Sequence, residues 1–214
     1  MASVISINFM KDEAHCVGMM LDTLQPYVKE NYVIIDDRTT DNTKEICDSR
    51  GCYTKYFKFE NFGKTWNTLL KWVNGKSDWM FVLAPDETIE EKFGRSIEDI
   101  VSRIHDSKVD GVWFPRRHWA DLDMIERAEQ DAGWYPDWQL RLIRNDYPRI
   151  HMKHYVHEWP VGLRESIRIS NLEFNHFNMY WKPRVDYNFD KMNELYNTLS
   201  EKQKRDGGKD IWPE

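Results

Sequence analysis

The sequence predicts a single α/β domain: a mainly parallel central sheet flanked by helices, followed by a C-terminal helix. Three observations carry this expectation. Between residues 4 and 104, apolar runs of strand length alternate four times with amphipathic helical stretches, the pattern of β–α units that pair into parallel sheets. The chain has 214 residues, which suits one domain. Its 41% hydrophobic and 31% charged residues give the balance of a globular chain.

The elements follow in order. Val4 to Phe9 is a first strand, and Val17, Met20, Leu21 and Leu24 mark a helix that Pro26 ends. Tyr32 to Ile35 is a second strand running into Asp36-Asp37, after which Thr40 or Asp41 caps a helix reaching Arg50 and stopped by Gly51. Cys52 to Phe59 reads as a third strand. Phe62 to Val73, with Trp66, Leu69, Leu70 and Val73 at helical spacing, reads as the next helix. Trp79 to Leu83 is a fourth strand, and Ile97, Ile100, Val101 and Ile104 mark another helix. Beyond it, Gly111 to Trp119, Gln139 to Arg144, His151 to Trp159 and Ile167 to His176 read as strands. A final helix spans about Arg184 to Ser200, and Lys202 to Lys209 is a polar tail.

Composition narrows the function. Thirty basic against thirty-six acidic side chains give a net charge of −6, which disfavours tight non-specific binding to a polyanion. Three cysteines without metal spacing, Cys16, Cys47 and Cys52, are expected to be reduced thiols. No apolar run has the roughly 18–20 residues that cross a bilayer. The opening stretch lacks a basic n-region and reads as a strand rather than a signal peptide, so a cytoplasmic location is expected. In parallel sheets ligands sit beyond the carboxyl ends of the strands, and Asp12-Glu13, Asp36-Asp37 and Asp86-Glu87 each fall at such an end. A dehydrogenase is excluded, because Met10-Lys11-Asp12-Glu13 replaces the glycine-rich turn.

The runs IIDDRTTDNT (34–43), FGKTWN (62–67), DWMFVLAPDE (78–87), WYPDWQLRLIRN (134–145) and VHE (156–158) occur in an order that resembles the family 2 glycosyltransferases of the GT-A fold. The similarity is closest to a bacterial and phage branch and covers about residues 3–180. It implies one GT-A domain over 1–214, with a nucleotide-sugar half at 1–108, an acceptor half at 109–180, and a C-terminal helix and tail at 181–214.

The chemistry such a transfer needs has candidates. Asp36 is placed to accept a hydrogen bond from a base N–H or a ribose hydroxyl. Asp41 resembles the family's second acidic nucleoside-site residue and equally fits a helix cap. Asp12, Glu13 and Arg38 fall at the same rim and join the nucleotide-binding set. Lys64 and Asn67 open a helix at that edge, where the resemblance puts the nucleotide; a solvated Lys64 is the alternative. Asp86 matches the last Asp of the family's DxD motif, which implies Mn²⁺ or Mg²⁺ bridging the donor diphosphate. Ala84 stands where the first Asp would, which leaves strict metal dependence open. His176 is a candidate metal ligand, as a late histidine is in some GT-A enzymes.

Asp137 aligns with the family's catalytic acidic residue, a base for the acceptor hydroxyl; a Pro-Asp turn is the other reading. Arg141 and Arg144 offer either a phosphate fork or ion pairs. His157-Glu158 matches the family's VHE near the donor. His151, His154 and His157 do not suit zinc, because in a strand the middle one points away from the others. Arg116-Arg117-His118-Trp119 is a basic-aromatic stretch for an acceptor sugar or an anionic group. Together these imply inverting transfer from a nucleoside diphosphate sugar, UDP-linked by preference, to a saccharide hydroxyl. The alternatives are a phage-type enzyme acting on hydroxymethylated DNA and a non-catalytic nucleotide-sugar binding module.

Overall fold

A computed structural model describes residues 2–128, 133, 135–185 and 188–206. Trp134 and the tail from 207 onward, both part of the sequence reading, lie outside the described residues.

The four β–α units form as expected: β1 (Val4–Met10), α1 (Val17–Leu24), β2 (Asn31–Asp36), α2 (Thr43–Ser49), β3 (Tyr53–Phe57), α3 (Phe62–Val73), β4 (Trp79–Val82) and α4 (Glu91–Ile104), with a short β5 (Glu87–Ile89) before α4. The second half supplies β6 (Val109–His118), β7 (Asp137–Arg144), β8 (His151–Lys153), β9 (Trp159–Val161), β10 (Glu165–Arg168) and β11 (Phe174–His176), then α5 (Asn178–Trp181) and α6 (Phe189–Arg205). The main sheet runs β3-β2-β1-β4-β7-β6-β11-β5, with β10 also paired to β6. Pairing is parallel from β3 to β4 and between β6 and its partners β10 and β11; β7 is antiparallel to both β4 and β6.

Alternation along the strands explains the layering, since successive side chains face opposite sides of a sheet. Val33, Ile35, Trp79 and Phe81 face α1 and α4, packing with Val17, Leu21, Phe93, Ile97 and Val101. Their neighbours Tyr32, Ile34, Met80 and Val82 face α3, packing with Leu69, Leu70 and Val73. Both faces of the central strands are therefore covered, as parallel sheets require. At one point helix and loop approach closely: a Cβ on Gly94 would sit 2.1 Å from the Tyr27 ring. Gly94→Ala is expected to destabilise the protein by about 1–3 kcal/mol through overpacking, read as a lowered midpoint in thermal unfolding.

Three sequence expectations are corrected. Residues 151–159 are not one strand: His154 and His157 adopt positive φ, 72° and 51°, which breaks the run into the β8–β9 hairpin. Residues 167–176 likewise divide into β10 and β11, which pair with different stretches of β6. The last helix begins at Phe189 rather than near Arg184, with Asn188 accepting from the Lys191 N–H as its cap, and of its apolar stripe only Leu199 is buried.

At the start of β6, Asp110 is fully buried and accepts from Arg144 Nε (3.0 Å), Arg149 Nη1 (2.7 Å) and Arg164 Nη2 (2.8 Å). Burial alone would raise its pKa, but the arginines outweigh that and hold it well below the ordinary 3.8. A carboxylate lowered in the folded state stabilises the fold above its unfolded pKa, and that stability is lost as pH falls. The expected result in acid titration of unfolding free energy is a decline beginning below about pH 4–5 that is blunted in an Asp110→Asn variant.

Candidate active site

The topology places one residue set at one rim. β1, β2 and β4 end there, so the loops carrying Asp12-Glu13, Asp37-Arg38 and Asp86 converge beyond their carboxyl ends. Because β7 runs antiparallel to β4 and β6, it is its first residue, Asp137, that lies at this rim, in register with Arg116 near the end of β6. β11 is parallel to β6, which sets His176 beside His118.

These pairings build a continuous polar chain. Asp86 Oδ2 is 3.2 Å from His176 Nε2, His176 Nδ1 is 3.0 Å from His118 Nδ1, and His118 Nε2 is 3.1 Å from Asp137 Oδ2. Arg116 continues it, donating to Asp137 Oδ2 through Nε (2.7 Å) and to Glu87 Oε1 through Nη1 (3.3 Å). Arg141 Nη2 then meets the same Glu87 oxygen at 2.5 Å, while Glu87 Oε2 accepts from the Ala84 N–H at 2.8 Å. Both histidines and Glu87 are buried; Asp86 and Asp137 keep about a quarter and a fifth of their side chains exposed, at 24% and 20%. The chain therefore opens to solvent at its two carboxylates, where a ligand would enter.

The charges follow from this setting. Burial would raise Asp137, but the His118 contact and the Arg116 guanidinium outweigh it and hold the carboxyl well below the usual range. Asp137 is thus ionised at neutral pH. Its Oδ2 is occupied by Arg116 and His118, and its Oδ1 accepts from Gln139 at 2.7 Å, which leaves capacity on Oδ1 because each carboxylate oxygen has two acceptor sites. Asp86 is also lowered: burial opposes ionisation, and His176 overcomes it. Glu13 moves the other way, pushed up to about 7 by burial and then by the Asp86 charge.

Asp86 Oδ2 and His176 Nε2 suit a hard divalent cation. One carboxylate oxygen and one imidazole nitrogen leave most coordination positions for diphosphate oxygens and water, the arrangement Mg²⁺ and Mn²⁺ adopt on substrate phosphates. Ala84 contributes no ligand; its backbone N–H orients Glu87 instead. Among the described residues, the one group of three ligating side chains whose ligand atoms lie within 4.8 Å of one another is Glu13, His15 and Cys16, on the loop leading into α1, where the His15 ring also meets Trp181 edge-on at 5.2 Å between centroids. The three cysteines are free and buried.

Several predicted binding residues are otherwise engaged. Asp36 is buried and held by its neighbour, with Arg38 Nε donating to Oδ1 at 2.8 Å and Nη2 to Oδ2 at 2.5 Å, and the guanidinium lies 4.4 Å from the Phe59 ring centre. A base reaching this corner meets Arg38 before Asp36. Asp41 serves the helix-start role: Oδ1 accepts from the Thr43 N–H (2.9 Å) and Oδ2 from the Ala14 N–H (2.9 Å), tying the β1–α1 loop to α2. Asp12 makes a second tie by accepting from the Thr40 N–H at 2.7 Å. Lys64 pairs with Glu60 at 2.8 Å.

Further predicted residues are held by contacts within the fold. Asn67 is a strut, its Nδ2 donating to the Met152 carbonyl (2.9 Å) and its Oδ1 accepting from the Met152 N–H (2.7 Å). Arg141 takes the ion-pair alternative: it lies buried against Phe174 and neutralises Glu87. His157 is exposed and stacks on Tyr196 of α6 at 5.5 Å, while its neighbour Glu158 accepts from Trp66 Nε1 at 3.0 Å. The basic stretch at 116–117 is internally compensated, since Arg116 serves Glu87 and Asp137, and Arg117 serves Glu173 at 2.9 Å while stacking on Tyr135.

His118 is the residue whose place in the polar chain the sequence reading did not give. In sequence it belongs to a basic-aromatic run, and only the β6–β11 register joins it to His176, 58 residues away. No local pattern carries that contact.

A model of the family described as glycosyl transferase family 2 matches residues 14–159. No curated protein matches the sequence. Among solved structures, the chain is similar to a mycobacterial protein at 12% identity and a TM-score of 0.56, over 82% of this chain and 67% of that one. It is also similar to glucosyl-3-phosphoglycerate synthase from Mycobacterium tuberculosis in complex with Mn²⁺, UDP and phosphoglyceric acid, at 10% identity and a TM-score of 0.56, over 90% and 74% of the two chains. The same synthase with Mn²⁺, UDP-glucose and glycerol 3-phosphate matches at 10% identity and 0.56, over 90% and 75%. At these identities the likeness is one of fold. No helix among the described residues is long and apolar enough to cross a membrane.

Proposed function

The chain belongs to glycosyl transferase family 2, and from that premise we propose that it transfers a sugar from a UDP-linked donor to an acceptor hydroxyl in one inverting displacement. The observation that carries the reading is the placement of two partly exposed carboxylates, Asp86 and Asp137, at the two ends of one buried imidazole pair. One end suits the leaving diphosphate and the other suits the attacking hydroxyl.

The chemistry divides between them. The acceptor oxygen forms a bond to the anomeric carbon as the bond from that carbon to the diphosphate oxygen breaks, and the electron pair leaves with UDP. Asp137 Oδ1 takes the hydroxyl proton as the new bond forms, since an alcohol is too weakly acidic to ionise beforehand. Arg116 and His118 keep Asp137 ionised and fixed for that role. Asp86 and His176 would hold the divalent cation, which when bound offsets the charge growing on the leaving diphosphate. The complex of the M. tuberculosis synthase with Mn²⁺ and UDP supports this donor class by analogy of fold.

Incubating the protein with a panel of UDP-sugars and Mn²⁺, and measuring released UDP, tests the reading. UDP release that requires Mn²⁺ and Asp86 is expected. UDP binding without release from any donor would instead leave a non-catalytic nucleotide-sugar binder. Arg116 and Arg117 are paired within the fold, which supports a saccharide or other small hydroxyl acceptor over DNA.

A further inference from the structure

Between Asp86 and Asp137 there are three polar contacts: Asp86 Oδ2 with His176 Nε2, His176 Nδ1 with His118 Nδ1, and His118 Nε2 with Asp137 Oδ2. Each needs one N–H lying between its two atoms. Two neutral imidazoles carry only two N–H groups, because a neutral ring donates from one nitrogen and accepts at the other. With no cation, one contact in the row is left without a proton, either a nitrogen lone pair against a carboxylate or the two Nδ1 lone pairs against each other, unless an extra proton is held in the buried pair.

A cation on Asp86 and His176 changes the count. With His176 Nε2 giving its lone pair to the cation, that ring's single proton would sit on Nδ1 and point at His118 Nδ1. His118 Nδ1 then accepts, which places the proton of His118 on Nε2, facing Asp137 Oδ2. Two protons now serve two contacts, and every ring nitrogen is matched. Metal-bound histidines are commonly oriented by such an outer partner; here the partner is itself a histidine, and its far side holds the proposed base.

We infer that His118 is a positioning residue that couples the cation site to Asp137, so that cation binding fixes the tautomer of His118 and thereby pins Asp137 Oδ2, leaving Oδ1 for the acceptor. Packing supports a fixed rather than a loose link. His118 is 2% exposed and His176 6%, the rings lie 4.8 Å apart, and the strands that carry them are hydrogen-bonded in register with the Trp119 N–H donating to the His176 carbonyl at 2.9 Å. Coupling of this kind is reciprocal. Asp137 favours the His118 tautomer that leaves His176 Nε2 open, so Asp137 should strengthen cation binding through His118.

This inference rests on the cation site proposed above, and its test separates the two. Mg²⁺ affinity, with no nucleotide or sugar present, is measured by calorimetry for the protein and for His118→Phe, Asp137→Asn and the double variant. His118→Phe is expected to weaken Mg²⁺ binding about tenfold, the scale of an outer partner's loss. Asp137→Asn, whose amide serves either His118 tautomer, should also weaken it, and most of that loss should vanish when His118 is already Phe. Equal losses from Asp137→Asn in both backgrounds would reduce its effect to direct charge and overturn the coupling. Nitrogen-15 spectra of histidine-labelled protein give a second readout that needs no substitution at 118. Saturating Mg²⁺ should show His118 protonated on Nε2 and His176 on Nδ1, whereas His118 protonated on Nδ1 would overturn the coupling while leaving the cation site intact. Mg²⁺ binding that is absent or indifferent to Asp86→Ala would remove the cation site itself and the coupling with it.

Discussion

Asp137→Asn is expected to lower the rate of sugar transfer by about 10²–10⁴-fold, the usual contribution of a positioned general base, while UDP affinity measured without added divalent cation stays nearly unchanged. The asymmetry follows from position. Asp137 opens β7 at the end of the imidazole pair away from Asp86, and its described contacts are with Arg116, His118 and Gln139 rather than with the loops after β1 and β2. The amide cannot take a proton from the acceptor, yet it fills the same space and can still accept from Arg116. Steady-state kinetics with a UDP-sugar, paired with UDP titration by calorimetry, separates the two quantities. A variant that transfers sugar at the parent rate would remove Asp137 from the base role.

Asp110→Ala is expected to destabilise the fold by about 3 kcal/mol, the lower part of the range for breaking a buried ion pair. The lower part applies because Arg164 remains 48% exposed and Arg149 32% exposed, so both recover water when the carboxylate is gone. Arg144, at 15%, does not recover it so readily; besides Asp110 it holds the Ile104, His105 and Val109 carbonyls and stacks on Trp79. Chemical denaturation should show a lowered midpoint, with activity retained under native conditions since this cluster sits at the opening of β6, away from the rim where β6 ends. A midpoint unchanged within about 0.5 kcal/mol would mean that the three arginines find equivalent partners elsewhere.

The first half of the fold was legible because local signals agree there. Period-2 apolar runs, helical spacing and the stops at Pro26 and Gly51 all mark the same boundaries, and α3 falls on Phe62–Val73 as its spacing predicts. The second half was harder to read because its strands are short and depend on distant partners. β5 has three residues and is defined by pairing with β11, eighty-odd positions later. The β8–β9 break is set by His154 and His157 at positive φ, a conformation that histidine does not announce in sequence.

The site divides the same way. The family resemblance pointed to Asp86, Asp137 and His176, and the antiparallel entry of β7 and the β6–β11 register bring the three into one polar chain. What could not be read is which polar groups satisfy one another. Asp36 was expected to face a base and is instead bound on both oxygens by Arg38, two residues away. Asn67 stands one helical turn after Lys64, yet its amide braces β8. Such choices are settled by burial, because a buried polar atom takes whichever partner the fold brings within reach.

The account depends on a divalent cation joining Asp86 and His176 to the donor diphosphate, and UDP titration with and without Mn²⁺ tests that claim most directly. Mn²⁺ should tighten UDP binding to the parent protein and leave UDP binding to Asp86→Ala unaffected. Equal tightening by Mn²⁺ in both proteins would place the cation elsewhere and contradict the account.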